Sequence, residues 1–436
     1  MYNYSNEPRK VIFMIDSKSF YASVESVARG LNPLRSILVV MSTENNTGSG
    51  LVLAASPMAK KIFGITNVSR ATDVPIHDKR LVIAQPRMNL YIEENLKINK
   101  LFQQFASNDD IHPYSIDESI IDMTTSWKLF GNSPYEVARK IQLAVKGKTG
   151  IYTTVGIGDN PLLAKFALDI EAKHNHSLIA EWHYEDVPDK LWPITQLDDI
   201  WSIGSRTAEK LKKNHINSMN DLAHFNPYEL KNKFGVIGSQ LFAFSWGIDR
   251  SIIHDKYTPK EKSYGNSQVL PKDYVIQSEI EVVIREIAEQ VAARLRSHHK
   301  VATVINLGIG FSLAESTDSG KKYSGFGSSL KIDSTNSNAQ ITKYAIDLFQ
   351  KKWHHEALRH ISISCGKLVD DNSQQLDMFD TNNTEQKNHN LDNTIDIIRK
   401  KYGFKSIVKL SSKSEGATAI YRAGLVGGHA GGNTYE

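Results

Sequence analysis

One cysteine, Cys365, stands in a chain of 436 residues. An internal disulfide needs two, so no disulfide framework holds this protein together, and the lone thiol fits a reducing cytoplasm. Long apolar runs are equally scarce. No uninterrupted segment approaches the roughly 20 residues that cross a bilayer. The N-terminal MYNYSNEPRKVIFMID lacks the apolar stretch of a secretory signal after its basic pair. No repeat recurs at a fixed period. A strong charge bias is missing as well, since 52 Lys and Arg against 48 Asp and Glu leave +4. Such mild basicity permits a polyanionic partner without requiring one. What remains is a cytoplasmic chain with no membrane role, too long for one core and pointing to roughly three domains.

The apolar pattern that is present divides the chain. Residues 11–15, VIFMI, read as a buried central strand ending at Asp16. A helix follows, with Phe20, Tyr21, Val24, Val27 and Ala28 at helical spacing and Ser17 or Ser19 as its cap. Strands are expected at 37–41 and 51–55 around the turn-forming STENNTGSG, then a short basic helix from Pro57. Helices at 88–105 and 134–145, strands at 114–119 and 153–158, and the amphipathic NPLLAKFALDIEAK complete a mixed sheet backed by helices. Residues 198–244 pattern as helices throughout. After the polar HDKYTPKEKSYGNS, helices at 279–296 and 339–353 alternate with strands at 301–311, 328–332 and 360–368. The Asn-, Asp- and Gln-rich stretch 370–393 is expected to be disordered.

YSIDES, residues 114–119, poses a question. Neighbouring side chains of a strand point to opposite faces, yet Asp117 and Glu118 stand side by side. Either one is solvated, or the chain bends so that both reach a shared positive charge. Asp16 ends another strand, and three carboxylates brought together repel unless a cation neutralises them. Hard oxygen ligands would favour Mg²⁺ or Mn²⁺, and a pair of such ions suits in-line phosphoryl transfer.

DSKSFYASVE (16–25) together with YSIDES resembles the signature pair of the Y-family translesion DNA polymerases, in the UmuC-like bacterial branch, the ImpB/MucB/SamB family. VLAASPMAKKIFGI, TTVGIGDNPLLAKFALDIEAK and WSIGSRTAEKLKKNHI follow in the family's order. The resemblance implies an α+β multi-domain right hand. A palm with a mixed sheet would take 1–25 and 89–178, and small fingers 26–88. A helical thumb with a helix-hairpin-helix would take 179–253, a linker 254–265, an α/β little finger 266–368 and a tail 369–436. It implies a low-fidelity, template-directed enzyme of the DNA-damage response, adding dNTPs to a primer 3′-hydroxyl with two Mg²⁺ ions per site, for which Mn²⁺ can substitute.

Carried over by position, Asp16, Asp117 and Glu118 would be the catalytic metal ligands, with the main-chain carbonyl of Ser17. Tyr21 would be the steric gate against a 2′-hydroxyl, supported by Phe20. Lys60, with Lys61 as the less favoured choice, and Lys173 would meet the triphosphate, and Lys173 lies one residue further from Lys165 than in relatives. The small-residue segment 48–56 would roof the nascent pair. Ile203 and Gly204 in the hairpin turn would offer backbone N–H groups to a DNA phosphate. Arg294 and Arg296, beside His298, His299 and Lys300, would grip the duplex. Gln375, Leu376, Met378 and Phe379 of QLDMF resemble the pentapeptide by which bacterial polymerases bind the sliding clamp. Primer-template DNA, dNTP and the clamp are thus the expected partners, with an accessory damage-response subunit or recombinase filament left open. Two other readings compete. One is a non-catalytic DNA- and clamp-binding repair scaffold on the same fold, against which the intact carboxylates argue. The other is a different two-metal palm enzyme such as a nucleotide cyclase, which needs no duplex grip.

Overall fold

The computed structural model describes residues 3–42, 50–67, 69–255, 258–259, 261–312, 325–371, 384–426 and 429–430. The chain divides into two compact units, Met1–Met41 with Leu51–Lys256, and Ser42–Gly50 with Tyr257–Glu436.

In the first unit the VIFMI run forms strand β1 (Ile12–Ser17), whose residues Ile12 to Ile15 are at most 1% exposed. Helix α1 (Phe20–Ala28) follows at once, because Ser19 turns the chain in a left-handed conformation (φ 48°, ψ 52°). Strands β2 (Leu38–Met41) and β3 (Val52–Ala55) come next, then α2 (Pro57–Phe63), capped by the Ser56 side chain and ended by Gly64 at φ 66°. Strand β4 (Val82–Ala84) closes a small sheet in the order β3-β2-β4. Helix α3 (Met88–Phe102) leads to β5 (Ile111–Pro113) and β6 (Glu118–Asp122), and α4 (Pro134–Thr149) leads to β7 (Thr153–Gly158). Helix α5 (Pro161–Phe166) runs into a π-helical turn at Ala167–Ala172, and β8 (Ile179–Trp182) follows.

The main sheet has the order β5-β6-β1-β7-β8, antiparallel except for the β7–β8 pair. It is the mixed, helix-backed sheet that the alternation implies. β8 belongs to it, so a boundary at 178 falls one strand short. Helices α6 (Ser205–Lys212), α7 (Met219–His224), α8 (Pro227–Phe234) and α9 (Val236–Ser245) then share an apolar core with α5 through Leu162, Leu163, Leu211, Leu222 and Leu241.

The second unit is a four-stranded antiparallel sheet, order β11-β10-β12-β9, made by β9 (Tyr264–Tyr274), β10 (Lys300–Phe311), β11 (Gly325–Thr335) and β12 (Leu358–Asp370). Helices α10 (Gln277–Ser297) and α11 (Asn338–Gln350) pack on it through Ile280, Val291, Ile341 and Phe349 against Ile305, Ile361 and Cys365. Burial pushes the Cys365 thiol up to about 12, which keeps it protonated and unreactive.

The expectation of disorder to residue 393 fails from Thr384 onward, where helix α12 (Thr384–Tyr402) begins. It is held by buried polar contacts rather than by a broad apolar face. Arg296 Nε lies 2.7 Å from Asp396 Oδ2 and its Nη1 3.5 Å from Asp392 Oδ2, while the Asn338 N–H donates to Asp392 (3.0 Å). Further along, the N–H groups of Thr418 and Ala419 both donate to Glu286 Oε2 at 2.9 Å. No helix among the described residues is long and apolar enough to cross a membrane.

Candidate active site

Asp16 and Glu118 are direct partners across the antiparallel β1–β6 pair, and Thr154 is the partner of Asp16 on β7. Directly opposed residues share a face of the sheet, so a carboxylate, a second carboxylate and a hydroxyl form one row across three strands. Asp117 escapes strand alternation because it is not in the strand. Residues 114–117 turn tightly between β5 and β6, with the N–H groups of Tyr114 and Ser115 donating to the Glu118 carbonyl at 2.9 and 3.0 Å. The Ser115 hydroxyl accepts from the Glu118 N–H (3.0 Å) and donates to Asp117 Oδ1 (2.7 Å). Asn95 of α3 props the turn through the Ile116 carbonyl (2.7 Å), and the Ser17 N–H donates to the Asp117 carbonyl (2.9 Å). Two separate chain segments are thereby clipped together at the carboxylates.

Lysines answer this negative charge. Lys165 Nζ, on α5, lies 2.6 Å from Glu118 Oε1 and 3.1 Å from Asp169 Oδ2. Lys173 Nζ lies 2.8 Å from Asp169 Oδ1, 3.7 Å from Asp16 Oδ2 and 3.9 Å from Glu118 Oε1. Lys18 Nζ donates to the Lys173 carbonyl (3.3 Å). Burial raises the Asp16 carboxyl to about 6, opposed by Lys173 and reinforced by Asp117 and Glu118. Burial works against the charge of Lys173, but Asp16 and Asp169 outweigh it and hold its ammonium above the ordinary lysine range.

Helix α5 reaches this position because β7 carries no side chain where the two meet. A Cβ on Gly156 would stand 2.1 Å from the Ala164 carbonyl oxygen, and one on Gly158 would stand 2.3 Å from the Ala164 nitrogen. Helix backbone rests on strand backbone, and Asn160 caps the helix by accepting from the Leu163 N–H (2.8 Å).

A cavity of ≈ 480 Å³ opens beside the carboxylates, lined by Asp16, Lys18, Tyr21, Lys60, Asp117 and Lys173 among others. Leu53, Ala54 and Pro57 of the β3–α2 region also line it. Tyr21 stacks on Tyr91, centroids 4.5 Å apart and planes 18° apart. Tyr91 donates to Glu25 Oε1 (2.8 Å), and that fully buried carboxylate also receives Arg87 and Arg29. Phe20 lines the same cavity but is a core residue, 3% exposed. Lys60 is on the lining and Lys61 is not.

Among the described residues, no three His, Cys, Asp or Glu side chains gather closely enough to grip a metal ion as they stand. The side chain of Asp117 is engaged by Ser115 and that of Glu118 by Lys165. The donor set nevertheless fits a hard divalent cation in kind: oxygen ligands only, a row with the Thr154 hydroxyl unpartnered, and a carboxyl at Asp16 raised by burial and by its carboxylate neighbours.

The expected DNA contacts fare unevenly. Ile203 is buried and its N–H is used by the Ile200 carbonyl (3.0 Å), while Gly204 is exposed at the start of α6. Arg294 is exposed, with Nη1 donating to the Gly265 carbonyl (2.7 Å). Arg296 is corrected: it is buried and committed to Asp392 and Asp396, so its guanidinium does not face a duplex. His298 stacks on Tyr264, and Lys300 pairs with Asp370. Gln375, Leu376, Met378 and Phe379 lie outside the described residues. Sequence reasoning passed over Lys18, Tyr91, Asp169 and Lys165. For Lys165 a signal existed: it is an isolated charge in PLLAKFAL, and lysine is almost never buried unless paired.

Comparison with known proteins identifies the family. The model of the impB/mucB/samB family matches residues 15–169, that of the family's C-terminal domain 261–378, and that of the IMS family HHH motif 184–216. The chain is 42% identical over 430 residues to the putative UV-damage repair protein UvrX of Bacillus subtilis, covering 98% of this chain and 100% of the relative. It is 31% identical over 421 residues to DNA polymerase IV 2 of Halalkalibacterium halodurans, covering 96% and 99%. A solved Y-family DNA polymerase chimera has the same fold, with a TM-score of 0.64 at 22% identity over 82% of this chain and 99% of that one.

Proposed function

Because the chain belongs to the impB/mucB/samB family of Y-family DNA polymerases, we propose that it extends a primer 3′-hydroxyl on damaged templates as a low-fidelity, DNA-directed DNA polymerase. The observation that carries the reading is the row of Asp16 and Glu118 on paired strands, with Asp117 clipped beside them at the mouth of the cavity. Asp16, Asp117, Glu118 and the Ser17 carbonyl would hold two Mg²⁺ ions, or Mn²⁺ in their place. When bound, such ions supply the charge that activates a hydroxyl and steadies a leaving pyrophosphate. The chain's own groups do the rest. Lys60 and Lys173 face the triphosphate and offset its charge. Tyr21, braced by Tyr91, presents its ring where a 2′-hydroxyl would collide. Gly204 and the start of α6 offer N–H groups to a DNA phosphate. QLDMF docks on the sliding clamp.

Primer extension on damaged and undamaged templates, with and without clamp, tests the proposal. Wild type is expected to extend both templates with Mg²⁺. Glu118→Ala is expected to lose at least about 10³-fold in rate, on the scale of removing a principal electrostatic group. Absence of extension by wild type with either ion, or full activity in Glu118→Ala, would sink it.

A further inference from the structure

Lys165 and Lys173 are eight positions apart. In an unbroken α-helix, eight positions overshoot two turns by about 80°, and the two ammonium groups would diverge. Instead they converge on Glu118, at 2.6 and 3.9 Å from Oε1. The cause is the π-turn, in which the Lys173 N–H donates to the Leu168 carbonyl five residues back (3.1 Å). Such a turn absorbs one residue more than an α-turn and is frequent at functional positions. Asp169 sits four residues from each lysine, with one carboxylate oxygen 3.1 Å from Lys165 Nζ and the other 2.8 Å from Lys173 Nζ.

Lys173 therefore has rival partners. Asp169 holds it at 2.8 Å, while Asp16 and Glu118 stand at 3.7 and 3.9 Å. Released from Asp169, its flexible four-carbon side chain would settle on Asp16 and Glu118. It would then lie across the two carboxylates, and would have to be ordered afresh for each nucleotide. We propose that Asp169, carried at the middle of the π-turn, is a positioning residue that keeps Lys173 aimed at the incoming triphosphate and shares Lys165 with Glu118. The inference rests on the polymerase reading and goes beyond it, since Asp169 acts through Lys173 and is not among the residues that line the cavity.

Single-nucleotide insertion by Asp169→Ala, Asp169→Asn and Asp169→Glu tests it, with melting temperature recorded for each. Equilibrium dNTP binding to each protein on a dideoxy-terminated primer-template supplies a readout without chemistry. For Asp169→Ala and Asp169→Asn, KM and the dNTP Kd should rise about tenfold, the scale of one long side chain left unordered. Their kcat should change less than twofold, and Asp169→Glu should recover most of the loss. Unchanged KM and Kd in both variants overturn the role. So does a parallel fall of kcat and melting temperature in the near-isosteric Asp169→Asn, which would mark a structural part. If wild type itself extends no primer, the polymerase reading falls and this inference falls with it.

Discussion

Tyr21 lies almost flat on Tyr91, and Tyr91 is fixed in turn by Glu25, whose carboxylate is fully buried among Arg29, Arg87 and the Tyr91 hydroxyl. In the proposed polymerase, a ring braced from behind would not yield to an extra hydroxyl. Replacing it by a methyl group removes the collision, so Tyr21→Ala is expected to raise ribonucleotide use relative to deoxynucleotide use by about 10²-fold, equivalent to a clash of roughly 3 kcal/mol. The ratio of kcat/KM for matched rNTP and dNTP measures it, and an unchanged ratio removes the gate. A second residue-scale prediction concerns stability. His183 Nδ1 lies 2.9 Å from Asp159 and Nε2 3.4 Å from Glu181, and these partners raise its imidazole to about 10. A raised folded-state value stabilises below the unfolded pKa and fades as pH climbs through the folded one. Melting temperature should therefore decline between about pH 6.5 and 10. The decline should be shallower in His183→Gln, and identical slopes would refute the linkage.

At the scale of elements, the joint between β7 and α5 sets where Lys165 stands. Gly156→Ala places a methyl group against helix backbone, which cannot swing aside as a side chain can. A cost of about 1–3 kcal/mol is expected from overpacking. A displacement of even 1 Å at the site is worth about 10²-fold in rate. Denaturant unfolding and primer extension read the two effects, and a variant with wild-type values in both would show that the sheet yields freely. Much of this architecture was legible beforehand. VIFMI and TTVGIG announced buried strands because both faces are covered, and β7 spans the expected residues. The adjacency of Asp117 and Glu118 signalled a bend, and the bend is the turn that leaves Asp117 outside β6. The isolated charge of Lys165 in an apolar helix signals a buried pairing, but not with which residue, since its partner Glu118 is 47 residues away. Arg296 misled for the same reason. A basic residue in a last helical turn looks alike whether it meets a phosphate or an aspartate 100 residues further on. Helix α12 was masked by its polar composition, because it docks through a few charged contacts rather than an apolar stripe.

On the scale of the whole molecule, the proposed catalytic and clamp-binding residues belong to different stretches of chain. The carboxylates and lysines are all in the first unit, and QLDMF follows β12 in the sequence of the second. The two functions should separate. Leu376→Ala with Phe379→Ala is expected to abolish stimulation of extension by the clamp while leaving clamp-free extension within about twofold, because isolated apolar anchors in a polar segment serve a partner pocket. Retained stimulation would move the contact elsewhere. The return of the chain after that motif has a consequence for how it can be studied. On one side of the motif the Asp371 N–H is bonded to the His299 carbonyl (3.0 Å), and on the other α12 docks through Asp392 and Asp396 on Arg296. A premature stop codon before Thr384 would shorten the protein and also remove the two aspartates that pair with Arg296 and the two N–H groups that donate to Glu286. A truncation allele that has lost its clamp response would thus report a damaged body, and its phenotype would imitate a recruitment defect. Point substitutions can tell the two apart; deletions cannot.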